Sequence, residues 1–284
     1  MQMKITLKLL VLGGISLALL IALSSIKGIT QARERRLHEV QQNIARSYAG
    51  SQQLIGPLVT LTYREIWPTR IFDDKQNCWS EKKMSKTKTV QVYPEKLLYD
   101  GSLQVQERYC GIFKAHVFQS KGQFAGTIRF PDLKMLPTEK NSRIEMVSAI
   151  ASLCISDPRG ISKTPEFAWN NNPLEIISGS GQKDHLEGIH AILPPEAYSS
   201  GQIIPFALGI DIHGMEQFKI VPIGSANQMK ISSPWPHPSF IGDFLATTRS
   251  VSDEGFSAEW DVNGLACSAQ QNFNSTSSGA LQHT

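Results

Sequence analysis

The chain has 284 residues, of which 41% are hydrophobic and 19% charged, and its formal net charge is +3 at pH 7. The three cations of residues 1–27 are lysines in a segment without acids, so the remaining 25 Lys and Arg match the 25 Asp and Glu. The rest of the chain is therefore neutral, which excludes the basic surface of a nucleic-acid-binding protein.

The N-terminal region contains an uncharged apolar run, residues 9–26, between Lys8 and Lys27. A helix of this length spans about 27 Å, close to the thickness of a bilayer core. The run is longer than the apolar core of a signal peptide, and a charged, helix-favouring stretch follows it. We therefore predict a short N-terminus at residues 1–8 and an uncleaved transmembrane anchor at 9–27 that contacts the lipid bilayer. The flanking cations alone leave its direction open.

A short amphipathic helix is predicted for the juxtamembrane residues 28–49. Helix-forming residues dominate this stretch and no proline interrupts it. Apolar side chains recur in it at three- and four-residue spacing. They are Leu37, Val40, Ile44 and Tyr48. This narrow stripe predicts packing against the chain's own outer domain.

Residues 50–264 show the pattern of a β-rich domain. Short runs with alternating polar and apolar residues, rich in β-branched side chains, are separated by turn residues. The later runs lie at 144–156, 188–193, 203–213, 216–223 and 227–233. The fold class that we predict is mainly β, an antiparallel β-sandwich-like domain after the N-terminal transmembrane helix and the short amphipathic helix.

Three segments of this region predict irregular structure. Asp100-Gly101 predicts a hairpin turn, because both residues tolerate positive φ. The polar residues 73–88 predict an exposed loop. The tail, residues 265–284, is rich in Gln, Asn, Ser and Thr and predicts disorder.

The four cysteines are scattered, and none forms a C-x-x-C pair, which excludes a zinc knuckle on spacing. Cys154 lies in an apolar run, and we expect a buried structural thiol there. Cys78 and Cys110 lie in polar surroundings and are the better disulfide candidates, but the pairing stays open.

His185, Glu187 and His190 form the one grouping that suggests a metal or catalytic site. A zincin needs its two histidines one helical turn apart, whereas these are five positions apart with Gly188 between them. The sequence also contains no G-x-S-x-G and no P-loop. We predict no catalytic residue, no metal site, no cofactor and no enzymatic activity. The alternative hypothesis, a cell-wall-modifying enzyme, uses these three residues.

An unusual block begins at Trp235, where prolines exclude a regular helix or a central strand. Its candidate interaction or structural residues are Trp235, Pro236, His237, Pro238, Phe240, Gly242 and Phe244. Three of them are aromatic rings that must be buried or bind a partner. The block is therefore interpreted as a rigid packed corner, or as a binding rim for an unknown envelope protein or a glycan.

This block also carries a family resemblance. The run NQMKISSPWPHPSFIGDFL at 227–245, with Gly255-Phe256 and Trp260 beyond it, resembles the CreD family of bacterial inner-membrane proteins. Supporting points in the same order are Leu54 to Leu58, Asp100-Gly101, Asp157 to Ile161, Gly188 to His190 and Val221-Pro222. The similarity extends from the N-terminal span to about Val262.

The resemblance implies a cytoplasmic N-terminus and a periplasmic domain on a bacterial inner-membrane protein, single-pass in this chain. It also implies a non-enzymatic contribution to cell-envelope integrity and the envelope stress response. A glycan-binding or cell-wall-modifying β-sandwich is the alternative function. Family members continue with several membrane helices, so we expect this chain to be a fragment or a truncated variant.

Overall fold

A computed structural model describes residues 2–73, 78–110, 113–132, 136, 139–182, 185, 187–195 and 201–267. The first element is helix α1, Gln2–Tyr48, which runs unbroken for 47 residues. Thus the two predicted helices are one, because no proline lies within it and Gly28 is accommodated inside the helix. The side chains of Leu37, Val40 and Ile44 lie outside the described part, so the predicted stripe stays a prediction.

The apolar part of α1 has no protein partner among the described residues. Leu12, Ile15 and Leu17 are each about 60% exposed. The stretch Leu12–Arg36 is long and apolar enough to cross a membrane. A helix that exposes this many aliphatic side chains needs an apolar environment, which a bilayer supplies.

Most of the remainder of the described chain is strand, as predicted. The strands are β1 Gln52–Asp73, β2 Cys78–Val92, β3 Pro94–Cys110, β4 Phe113–Arg129, β5 Arg143–Ile155, β6 Glu166–Trp169, β7 Asn172–Leu174, β8 Ile177–Ser178, β9 Gly188–Ile192, β10 Ile203–Met215, β11 Phe218–Val221, β12 Ala226–Ser233, β13 Thr248–Ser252 and β14 Gly255–Asn263. Short 3₁₀ turns occur at Pro158–Gly160 and Gly264–Ala266.

The strands form two sheets that enclose the core. In the first sheet the order is β11-β1-β5-β9-β8, and β2 also pairs with β1. In the second sheet the order is β13-β14-β12-β3-β4-β10-β6-β7. Most pairs are antiparallel, whereas β1 with β11 and β3 with β12 are parallel. The prediction of a mainly antiparallel, sandwich-like domain is confirmed.

Aromatic rings and glycines fit together in the core of the second sheet. The buried ring of Tyr99 packs 4.8 Å from Phe124 between centroids, and its hydroxyl lies 3.0 Å from Ser120 Oγ. Gly101 and Gly122 are paired across β3 and β4, and a Cβ on either would meet this ring closer than 3.0 Å. The predicted turn at Asp100-Gly101 is therefore wrong, because Gly101 makes room for an aromatic ring inside a strand.

The predicted loop at 73–88 is also wrong for its described part. β2 begins at Cys78 and pairs with β1 from Asp73↔Cys78 to Val59↔Val92. Its lysines lie on an edge strand, where charged side chains discourage pairing with other chains. The polar composition of this stretch therefore reflects a strand at the exposed edge of a sheet rather than a loop. The predicted disordered tail lies outside the described residues from 268 onward.

An ion pair between a buried glutamate and a half-buried lysine stabilises the base of this hairpin. The Glu65 side chain is fully buried, and Lys88 Nζ lies 2.5 Å from its carboxylate. The Glu139 backbone N–H donates to the same carboxylate. Lys88 lowers the pKa of Glu65 despite its burial. The pair therefore connects β1 and β2 with the segment before β5.

Candidate functional site: the helix junction and the aromatic loop

The first candidate site is the junction, residues 48–53 with 156–160 and 213–217, where α1 enters the β-domain. Ala49 follows the helix with φ of 110° and is buried. A non-glycine residue keeps such a backbone conformation only where its surroundings hold it. The chain thus turns from helix to strand within a few residues, between the buried Ala49 and the buried Gln52.

Gln52 is the central side chain of the junction, and it is 1% exposed. Its Nε2 donates to the backbone oxygens of Asp157 at 3.0 Å and His213 at 2.9 Å. One amide therefore joins the start of β1, the end of β10 and the 3₁₀ turn. Buried hydrogen bonds of this kind fix geometry, because leaving either carbonyl unpaired is costly.

The Asp157 side chain also connects the 3₁₀ turn with the segment that follows α1. Its carboxylate accepts from the Gly50 N–H at 2.9 Å and from the Arg159 guanidinium. Arg159 lowers the pKa of Asp157, so the carboxylate is ionised at neutral pH. Pro158 follows as the first residue of the 3₁₀ turn, a position that suits its fixed φ.

The end of α1 packs directly on the domain. Tyr48 Oη lies 3.3 Å from His213 Nδ1, with ring centroids 5.3 Å apart. The Met215 N–H donates to Gly50 O, and the Gln52 N–H donates to Gln217 O. α1 is therefore connected to the sheets by side-chain and backbone contacts rather than by a linker.

The second candidate site is the aromatic loop, residues 234–247 between β12 and β13. The Trp235 ring contacts that of His116 on β4 at 5.3 Å between centroids, and its Nε1 donates to His237 O. His116 O accepts from the Glu216 N–H, next to the junction. The loop therefore begins at the end of the second sheet where α1 enters.

Further along, the loop covers part of β14. The Phe240 ring lies 5.6 Å from that of Phe256 and 5.8 Å from that of Trp260. In contrast, Ile241 is 71% and Leu245 81% exposed. Trp235, Phe240 and Phe244 are all half-buried. The loop thus combines packed rings with an exposed aliphatic pair.

The other predicted residues of the aromatic loop differ in their exposure to solvent. Pro236 and Pro238 are half-buried, whereas His237 and Gly242 are exposed. Gly242 has φ of 137°, a conformation that side-chain-bearing residues rarely adopt. It separates the exposed Ile241 from the half-buried Phe244. No sequence pattern singled out Ile241 and Leu245, since an aliphatic residue carries no signal of exposure.

The His185, Glu187 and His190 group does not form a cluster. His190 lies on β9, and its ring Nδ1 is 2.6 Å from Gly179 O in the segment between β8 and β9, whereas Glu187 is exposed. Among the residues that the structure describes, no three His, Cys, Asp or Glu side chains are placed to hold a metal ion.

A buried polar cluster lies beside His190, and no sequence pattern predicted it. Gln182 Nε2 donates to Thr60 Oγ1 at 2.7 Å and to Ser152 Oγ at 3.1 Å. The Gln182 N–H also donates to Ser180 Oγ. These bonds satisfy buried groups and attach the residues after β8 to the first sheet.

Cys154, next to this cluster, is buried as predicted, and burial raises the pKa of its thiol to about 11.

We expect a variant that keeps only Cys154 to react with maleimide at pH 8 at least about 100-fold more slowly than one that keeps only Cys267, because the Cys154 thiolate is scarce and shielded from solvent. Labelling rates with intact and denatured protein test this. Equal rates in the folded state would contradict the buried position.

Cys78 and Cys110 occupy the tips of two different hairpins. Cys78 pairs with Asp73 where β2 begins, and Cys110 pairs with Phe113 where β3 ends. These hairpins belong to different sheets. Their side chains lie outside the described part of the chain, so their pairing stays a prediction.

Comparison with known proteins agrees with the resemblance described above. The model of the family "Inner membrane protein CreD" matches residues 4–284. The chain is 29% identical over 271 residues to the inner membrane protein CreD of Escherichia coli (strain K12), which covers 94% of this chain. It spans 57% of the length of that curated relative.

Proposed function

The chain belongs to the CreD family of inner membrane proteins, and from this premise we propose a non-enzymatic role in cell-envelope integrity under stress. In this proposal α1 holds the protein in the inner membrane and the β-domain faces the periplasm. The domain acts by binding an envelope partner through the aromatic loop. The observation that carries the proposal is the exposed pair Ile241 and Leu245 beside rings that fix the loop.

The geometry of the junction supports this role. Gln52 and Asp157 connect the end of α1 to both sheets without a flexible linker. A partner bound at the aromatic loop would therefore be held at a defined position relative to the membrane helix. Large exposed aliphatic side chains close together in one loop are candidates for an interaction site.

Photocrosslinking in living cells tests the partner. We expect a photoreactive residue at Ile241 to capture a discrete envelope protein, and one at exposed Lys121 on β4 to capture none. Leu245→Ser should reduce capture from position 241 by about fivefold or more, because the buried apolar area falls. Equal capture from both positions would contradict a specific site.

A topology reporter fused after residue 262 tests the orientation. We expect activity of a periplasmic reporter such as alkaline phosphatase and none of a cytoplasmic reporter. The same fusion to a chain starting at Gly50 gives the matched control, because it removes α1. Cytoplasmic activity of the full fusion would overturn the periplasmic assignment.

A glycan-binding function is the second candidate, and one feature favours it. A shallow depression of about 270 Å³ lies beside the aromatic loop. Its lining includes Ser233, Ser250, Ser252, Glu254 and Phe256. Hydroxyls, a carboxylate and a ring are the groups that recognise sugars. Loss of binding to peptidoglycan fragments in Ser250→Val with Ser252→Val would support this alternative over the protein partner.

A further inference from the structure

The hairpin of β1 and β2 extends beyond the first sheet. Pairing of β1 with β5 ends at Ile66↔Arg143, whereas pairing with β2 continues to Asp73↔Cys78. At about 3.3 Å per residue, the described ribbon beyond that point is roughly 23 Å long. We call the two strands of this extension, residues 67–73 and 78–84, the hairpin tip. A two-stranded ribbon has no core of its own in which to bury apolar side chains.

Large apolar side chains nevertheless occupy the hairpin tip. Phe72 and Trp79 are direct cross-strand partners, with centroids 5.3 Å apart in an edge-to-face arrangement. Trp79 is 67% exposed, and Ile71, Phe72 and Met84 are about 40% exposed. The rings form a cross-strand pair that stiffens the ribbon, but most of the indole surface still faces solvent.

The hairpin tip is also positively charged. Its two strands carry three cations, Arg70, Lys82 and Lys83, against two acids, Asp73 and Glu81. All three cationic side chains are exposed. The chain beyond residue 27 is neutral overall, so this charge is a local concentration. Lys82 and Lys83 are neighbours in a strand and therefore lie on opposite faces of the ribbon.

Edge protection explains only part of this composition. Lysines on a long edge strand discourage pairing with other chains, which accounts for Lys82 and Lys83. It does not account for an exposed Trp79 beside Phe72, which increases the risk of association. Tryptophan together with lysine is instead typical of protein segments that lie at a membrane surface.

We propose that the hairpin tip binds the surface of an anionic phospholipid bilayer. Phe72 and Trp79 enter the headgroup region, and the cations on both faces contact lipid phosphates. Along β1 the far end of the tip, Asp73, is roughly 70 Å of strand away from the junction at Gln52. The proposed lipid contact is therefore distant along the strand from the point where α1 joins the domain.

Flotation of the full chain with lipid vesicles tests the proposal. The chain is held through α1 in nanodiscs of phosphatidylcholine, and free vesicles contain either phosphatidylcholine alone or a mixture with phosphatidylglycerol. We expect co-flotation with the mixed vesicles only, and a decrease as salt is raised. Equal binding to both vesicles, or binding that salt does not change, would overturn an anionic lipid site.

Matched variants assign the binding to the tip. Lys82→Gln with Lys83→Gln should weaken binding roughly 25-fold at low ionic strength, and Trp79→Ser about tenfold. Lys96→Gln with Lys121→Gln, and Val147→Ser, change equally exposed side chains on other strands and should have no effect. Unchanged binding by the tip variants, or capture of the tip by an acidic protein without vesicle binding, would overturn the proposal. Neither outcome depends on the aromatic loop.

Discussion

Replacing Gly160 by alanine is expected to lower the free energy of unfolding by about 3 kcal/mol. A Cβ at this position would lie closer than 3.0 Å to both His213 O and Gln52 Nε2. His213 O belongs to the backbone of β10 and cannot move away without shifting the strand. The added methyl group therefore disrupts the hydrogen bonds by which Gln52 holds the junction.

Chemical unfolding followed by tryptophan fluorescence measures this loss, because Trp169 is buried and stacked on Phe206. Gly209→Ala is the matched control, since a Cβ there would meet no atom within 4 Å. We expect the control to change stability by less than about 0.5 kcal/mol. A similar loss in both variants would show that the cost comes from replacing a glycine of the domain in general rather than from crowding at the junction.

A double variant separates crowding from other effects at Gly160. Gln52→Ala removes one of the two atoms that the new methyl group would meet, as well as two hydrogen bonds. The losses of the two single variants should therefore not add, and the double variant should be at least about 1 kcal/mol more stable than their sum predicts. Additive losses would mean that Gln52 and Gly160 act independently.

The strands of the domain could be predicted where each strand follows one local pattern. The run at 144–156 became β5 and the run at 227–233 became β12, because alternation over several residues is a local property of strands. The turn at Asp100-Gly101 was wrong, because the ring of Tyr99 requires the glycine. That requirement depends on packing between paired strands, which one sequence does not display.

In the candidate sites, too, features set by local sequence could be predicted and features set by contacts between distant residues could not. The prolines and aromatic residues after Trp235 marked an irregular loop correctly, because proline restricts the backbone locally. The junction was not predicted, because Gln52, Asp157 and His213 are distant in sequence and come together only through the sheet order. Gln52 is an ordinary polar residue in the sequence, and only its burial shows its importance.

Replacing Lys88 by methionine is expected to lower the unfolding temperature by about 8 °C or more at pH 7. The substitution leaves the Glu65 carboxylate buried without its cation. Glu65 then becomes protonated in the folded state or draws in water, and either change weakens the contact with the Glu139 N–H. Thermal unfolding followed by circular dichroism measures the shift.

The pH dependence of unfolding gives a second measurement of the pair. Because Lys88 lowers the folded-state pKa of Glu65, stability from this carboxylate is fully present above its unfolded pKa, about 4.3. It is lost as pH falls through the lowered value. The pKa of Lys88 is raised by Glu65, so its contribution is lost only as pH rises beyond about 10.4. Between these limits we expect a plateau.

Glu65→Gln should therefore flatten the acid side of the stability profile, because the substituted side chain no longer titrates. Glu107→Gln is the matched control, since Lys114 also lowers the pKa of Glu107 but this pair lies partly exposed on the hairpin of β3 and β4. Solvent screens the attraction in such a pair, so its net contribution to the free energy of unfolding is small. An equal change of the acid limb in both variants would show that burial does not strengthen the Glu65–Lys88 pair. A change confined to Glu65→Gln would identify this pair as the contact that holds the base of the hairpin tip against the first sheet.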